Sequence, residues 1–267
     1  MKNKEKSEFK WNETHLQIPS VKKFDLALNK AFNKYVSPLL DSKEEEFNVA
    51  FANRILNLKG PTTIKTDPSP ERKWLAQISI KAFEIFTAYE FLLDTEIYIR
   101  KFPYPKTRIG KTRYVKSIFG NYLNNIYMVR VRMDVLLDIL KKRYGKKLPE
   151  SKRTQALLKI IDKLKKLISS HFDEIQTIRG AHVHLEEFYD TDLDRLLYIE
   201  IFIHNNPNFS HLPYIENYFE TEFKRVRKAK IAEIKEFNKE TAKILDIYFE
   251  YIYHIVFDND DELIIGY

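Results

Sequence analysis

Apolar positions along this chain recur three and four residues apart over most of its length, the spacing that lines one face of a helix. From Leu75 the stripe runs through Ile78, Ala82, Ile85, Tyr89 and Leu92. Ser69 suits the cap, Pro70 the first helical position and Glu71 the positive end of the dipole. Pro103 stops this helix, because the residue before a proline is pushed out of the α region. A second helix is predicted over about Lys116–Tyr144, with Gly145 as its C-cap. A third carries Leu157, Ile161, Leu164, Ile168, Phe172 and Ile178 as far as a break at Gly180. Thr191 and Asp194 suggest a capping box opening a fourth. A last helical pattern covers roughly Tyr214–Phe257, with room for an internal break. Alternating strand patterns are rare and no repeat is visible. The expected fold is therefore all-α, a helical bundle over 69–205, with an N-terminal extension bearing a short helix over 1–68 and a long C-terminal helix packing on the bundle over 206–267.

Composition narrows the chemistry. The chain has no Cys, which excludes disulfides, a thiolate nucleophile and thiolate zinc sites. Six Gly in 267 residues leave no glycine-rich phosphate loop, so kinase, P-loop and Rossmann readings fall away. The polar start Met1–Lys6 precedes no signal-like apolar run, and no uncharged stretch reaches the length of a membrane span. A cytoplasmic protein with no membrane partner is the expectation.

Charge is segregated beyond what the net +7 suggests. Between residues 97 and 166 stand twenty basic and four acidic residues, a local +16 that leaves −9 for the rest. Such a block is the footprint of a polyanion binder, with Tyr104, Tyr114 and Tyr122 as rings on which bases could stack. A solvated, lysine-rich face is the plainer reading.

The richest segment is Ile178-Arg179-Gly180-Ala181-His182-Val183-His184-Leu185-Glu186-Glu187-Phe188. Arg179 lies seven residues after Phe172 and four after Ile175, near the apolar seam, where a guanidinium needs an anion. A break at Gly180 would turn His184 back toward it. A fixed cation beside an imidazole that titrates near neutrality suits phosphoryl transfer.

A helix ending in Ile-Arg, then Val-His and Glu, then an amphipathic helix, resembles the HEPN superfamily, whose signature is an Arg with a His four to six residues later. The resemblance covers about 69–205. It implies a small helical bundle and, in active members, a metal-independent endoribonuclease of toxin, defence or RNA-processing systems. No metal or other cofactor is then required. It further implies a homodimer whose two Arg-His pairs meet at the symmetry axis, and it leaves room for an antitoxin or defence-system partner. In that mechanism His184 takes the proton from a ribose 2′-hydroxyl, whose oxygen attacks the adjacent phosphate, while Arg179 neutralises the developing charge. Lys101, Lys106, Arg108, Lys111, Arg113 and Lys116 would hold the RNA. The position after the Arg is commonly polar in active members and is Gly180 here, with His182 close enough to share the role.

Neighbouring residues have simpler readings too. His171 and His204 fit apolar helix faces as hydrogen-bonded core histidines. His182 and His184 with Glu186 make a poor zinc signal without a distant third ligand. Glu90 shares a stripe with Phe83, Phe86, Leu93 and Ile97 and must be paired, Arg179 being one candidate. Asn125 sits between Tyr122 and Val129, and Glu90, Asn125 and Glu186 are supporting candidates for the site, an edge position facing water being the plainer reading of Glu90 and Asn125. Arg179 could instead close the bundle as a structural ion pair. The expected function is HEPN-type RNA cleavage, with a catalytically silent module binding RNA or a protein as the alternative.

Overall fold

A computed structural model describes residues 14–57, 59–61, 69–101, 110–147, 152–184, 190–206 and 213–264, with only the backbone described over 174–184. Among these residues every regular element is helical. A 3-10 turn, Thr14–Gln17, leads into α1 (Pro19–Tyr35), α2 (Ser37–Ser42) and α3 (Glu44–Ile55), so the N-terminal part holds more than one short helix. Four long helices follow with one of intermediate length among them: α4 (Pro70–Arg100), α5 (Lys111–Lys147), α6 (Lys152–His184), α7 (Thr191–Asn205) and α8 (Pro213–Val256). An isolated bridge between Phe257 and Leu263 ends the described chain.

The start of α4 follows its sequence signals: Ser69 accepts a hydrogen bond from the Arg72 N–H at 3.4 Å, and the helix ends at Arg100, short of Pro103. Other ends differ. α5 runs past Gly145 to Lys147, and α6 runs through Gly180 to His184. A single glycine costs a helix only about 1 kcal/mol relative to alanine, which the packed turns around it outweigh. The cap of α7 is Asp190, one residue before the expected Thr191. Its carboxylate accepts from the Leu193 N–H at 2.9 Å, while Asp194 accepts from the Asp190 N–H at 2.8 Å. α8 is unbroken.

α5 organises the bundle. It lies antiparallel to α4, where Arg132 donates to the Glu84 carbonyl at 2.8 Å and the Arg143 guanidinium sits 3.9 Å from the Trp74 ring centre. It lies antiparallel to α6 and parallel to α8. A buried polar junction ties three helices together: the Tyr122 hydroxyl donates to Asn238 Oδ1 at 2.9 Å, and Asn238 Nδ2 donates to the Leu92 carbonyl at 3.3 Å. α1 lies along α8, with Phe24 packed 5.1 Å from Phe249 and 5.6 Å from Phe257. Carboxylates of α8 cap its start, since Ser20 N–H donates to Asp246 at 2.9 Å and its hydroxyl to Glu250 at 3.2 Å. One continuous apolar core therefore draws on α1 as well as α4 to α8.

The first turn of α5 takes its cap from another helix. Glu200 of α7 accepts from the backbone N–H of Lys111 at 2.9 Å and of Thr112 at 3.1 Å, satisfying two orphan donors with a full negative charge. Gly110 permits this approach, because a Cβ there would lie 2.6 Å from a Glu200 carboxylate oxygen and 2.7 Å from its Cδ. Gly110→Ala should therefore cost about 1–2 kcal/mol and lower the melting temperature by several degrees. Gly120→Ala, inside α5 with nothing within 4 Å of a new Cβ, should be neutral or stabilising in the same thermal melt.

Candidate nucleic-acid interface

Packing sorts the basic block into two sets. Lys111 is held by Glu220 and lies 5.1 Å from the ring centres of Phe219 and Phe223. Lys116 pairs with Asp194 at 2.5 Å, both side chains being close to buried. Arg130 reaches Ser169 at 3.4 Å and Asp134 at 3.7 Å, and burial raises the Asp134 carboxyl above its ordinary range despite that cation. Across the α5–α6 contact Lys141 pairs with Asp162 at 2.7 Å, and Lys165 pairs with Asp138. These cations close the bundle.

The second set faces water. Lys152, Lys159, Lys163 and Lys166 are exposed on α6 at spacings of seven, four and three residues. That register keeps them within about 60° on one face over about 21 Å of axis. Among the described residues no carboxylate forms an ion pair with Lys142, Lys152, Lys159 or Lys163, and Lys166 has only the through-space attraction of Asp162. A groove of about 490 Å³, lined by Asp138, Lys141, Lys142, Gly145 and Leu158, runs beside this ridge between α5 and α6. Cations in such a row neutralise successive phosphates without reading bases.

The expected aromatic platforms are not there. Tyr122 is buried in the core with its phenol pushed well above the usual range by burial, so its ring cannot stack on a base. Tyr114 packs against the core and its hydroxyl donates to the Tyr98 carbonyl at 3.3 Å. Of the residues expected to hold RNA, Lys101 and Arg113 are exposed, Lys111 and Lys116 are engaged internally, and Lys106, Arg108 and Tyr104 lie outside the described residues.

Glu90 has found a different partner from the one considered. It accepts from the His15 backbone N–H at 2.7 Å and lies 2.8 Å from His15 Nδ1, while the His15 ring stacks on Phe86 at 4.9 Å. Asn125 is half-buried in a groove of about 360 Å³ between α4 and α5. Its register on α5 is turned away from Arg130, Asp138 and Lys141, which meet α6, so α5 separates it from that helix. His171 is no hydrogen-bonded core histidine: its Nε2 is buried without a partner, the ring stacks on Phe237 at 5.6 Å, and burial lowers its pKa.

The side chains of Arg179, His182 and His184 lie outside the described set, as does all of Glu186. The backbone still constrains them. A helix unbroken through Gly180 separates positions 179 and 184 by about 140°, whereas the expectation of a break would have let them meet. Position 179 continues the helical register of Ile161, Ile168 and Phe172, which are themselves buried. Position 184 returns to within about 30° of the lysine ridge. No family model matches the chain, and no curated protein or solved structure matches it. No helix among the described residues is long and apolar enough to cross a membrane.

The two sets of cations should respond oppositely to mutation. Lys116→Ala strands Asp194 in a nearly buried position and should cost about 2–3 kcal/mol in denaturant unfolding. Lys159→Ala with Lys163→Ala should unfold within about 0.5 kcal/mol of wild type per site. Equal losses from both would mean that the α6 lysines are structural as well.

Proposed function

We propose that this protein binds RNA along the outer face of α6. The observation that carries the reading is the exposed row Lys152, Lys159, Lys163 and Lys166, which no described carboxylate pairs, whereas Lys111, Lys116, Lys141 and Lys165 of the same block each have one. Lysines act as point charges on phosphate and carry no group that reads a base edge bidentately, so binding should be insensitive to base sequence. Single-stranded DNA should bind comparably, since the row has nothing that recognises a 2′-hydroxyl.

Cleavage is the second reading, favoured by one observation: the α6 register returns position 184 to the side of the lysine ridge, so a strand lying on the ridge leads toward His184. In the HEPN-like mechanism His184 takes the 2′-hydroxyl proton, the freed oxygen attacks the adjacent phosphorus, and the bond to the 5′-oxygen breaks to leave a 2′,3′-cyclic phosphate. Arg179 supplies the compensating charge. With α6 continuous, position 179 lies about 140° from position 184, so Arg179 reaches the same phosphate through a local opening at Gly180.

Binding and cleavage separate experimentally. Five lysines, counting Lys142, should give a plot of log affinity against log salt a slope of about −3.5 for single strands. Lys159→Ala with Lys163→Ala should flatten it by about 1.4, and Lys111→Ala should leave it unchanged. An unchanged slope in the double variant overturns the binding surface. In EDTA, purified protein should convert RNA and not DNA to products with cyclic phosphate ends, and His184→Ala should slow this by about 100-fold or more. Binding without cleavage by protein of native helicity assigns the silent role.

A further inference from the structure

The outward face shared by α4 and α5 is strongly apolar, and among the described residues no other element covers it. On α4, Ile80 is 57% exposed, Phe83 69%, Phe91 52% and Tyr98 49%; on α5, Met128 is 39% and Val135 37%. Ile80, Phe91 and Tyr98 share one line along α4, with Thr87 between them, and Phe83 lies about 60° to one side. Met128 and Val135 occupy the α5 flank beside them. Between the helices runs the groove lined by Phe91, Thr95, Tyr98, Ile118, Asn121 and Asn125. These side chains present on the order of 600 Å². That is at the upper limit of what a monomer leaves bare, and close to one partner's ~800 Å² share of a standard interface once the groove is included.

The charges on this face point to what covers it. Asp94 has no cation partner among the described residues, and burial together with Glu90 raises its pKa. Arg132 forms no ion pair among the described residues; its hydrogen bond goes to the Glu84 carbonyl. Its guanidinium therefore stands level with residue 84, about 15 Å along α4 from Asp94. A two-fold axis crossing α4 between Thr87 and Phe91 exchanges these levels. It sets Ile80 against Tyr98 of the second copy, Thr87 against Phe91, and Arg132 level with Asp94.

We propose that the α4–α5 face is a homodimer interface, two antiparallel helix pairs closing into a four-helix layer, with Asp94 and Arg132 as reciprocal charges across it. Because the interface is isologous, each contact occurs twice. This assembly differs from the one implied by the HEPN resemblance. The axis meets α4 near its middle, while the 179–184 end of α6 lies on the far side of α5 and nearer that helix's start, so the two copies hold these segments apart. The interface stands independently of RNA binding.

Light scattering on the intact protein should give twice the 32.0 kDa chain mass at micromolar concentration. Phe91→Asp should raise the dimer dissociation constant about 30-fold or more, the scale of an interface hot spot, without loss of helicity, since the residue is half exposed. Asp94→Arg and Arg132→Asp should each weaken the dimer, and the two together should restore it. A wild-type monomer overturns the proposal, as does a dimer indifferent to Phe91→Asp. A reciprocal pair of variants no tighter than either single one overturns the charge register. A dimer broken instead by substitutions near residue 184 would place the axis where the resemblance puts it.

Discussion

Everything in this molecule turns on the burial of α5 by four helices, α4, α6, α7 and α8. Its Phe119, Tyr122, Ile126, Val129, Met133, Leu136 and Leu140 are all nearly inaccessible, and they face α8 and α4. A helix so enclosed has only a narrow arc left for charge. Toward α6 the nearly buried Arg130 is matched by Asp134, and the more exposed Asp138 and Lys141 pair across the contact with Lys165 and Asp162. Its first turn, buried against α7, cannot be left to water and is capped by Glu200. The segregated charge of the sequence is thus divided by geometry: cations at helix contacts become part of the bundle, and those on the free side of α6 do not.

The same enclosure explains which polar groups could be read from sequence. Helix stripes on α4, α5 and α6 were legible because burial on one side imposes the period, and the Ser69–Pro70 start was legible because capping is local. The ends of α5 and α6 were not. Gly145 and Gly180 carry the residue-level signal for a stop, but whether a helix stops depends on tertiary contacts that the glycine does not record. The cap of α5 was invisible for the same reason, because its carboxylate comes from Glu200, 89 residues away. Tyr122 was misread as a platform since its hydroxyl partners, the Ile234 carbonyl and Asn238, lie 112 and 116 residues away.

Charge density was visible along the chain, but free charge was not. Lys111 and Lys116 look in sequence like Lys159 and Lys163, and only the long-range carboxylates Glu220 and Asp194 distinguish them. The useful local clue was spacing. Lys152, Lys159, Lys163 and Lys166 repeat in step with the helix and out of phase with Ile161, Leu164, Ile168 and Phe172, so a solvent-facing row follows once α6 is accepted as a helix.

That phase relation also constrains any chemistry at the end of α6. Positions five apart on a continuous helix differ by about 140°, so position 179 falls in register with the seam residues Ile161 and Phe172 and position 184 with the lysine row. Bringing both to one phosphate requires either a second source of positive charge or a change of backbone direction between them. Gly180 stands immediately after Arg179. Its small helix-forming tendency makes that turn the least costly in the last part of α6 to open, by about 1 kcal/mol relative to alanine. Gly180 is therefore the position in the last part of α6 at which the helix is least costly to interrupt, and an interruption there would change the 140° that separates positions 179 and 184.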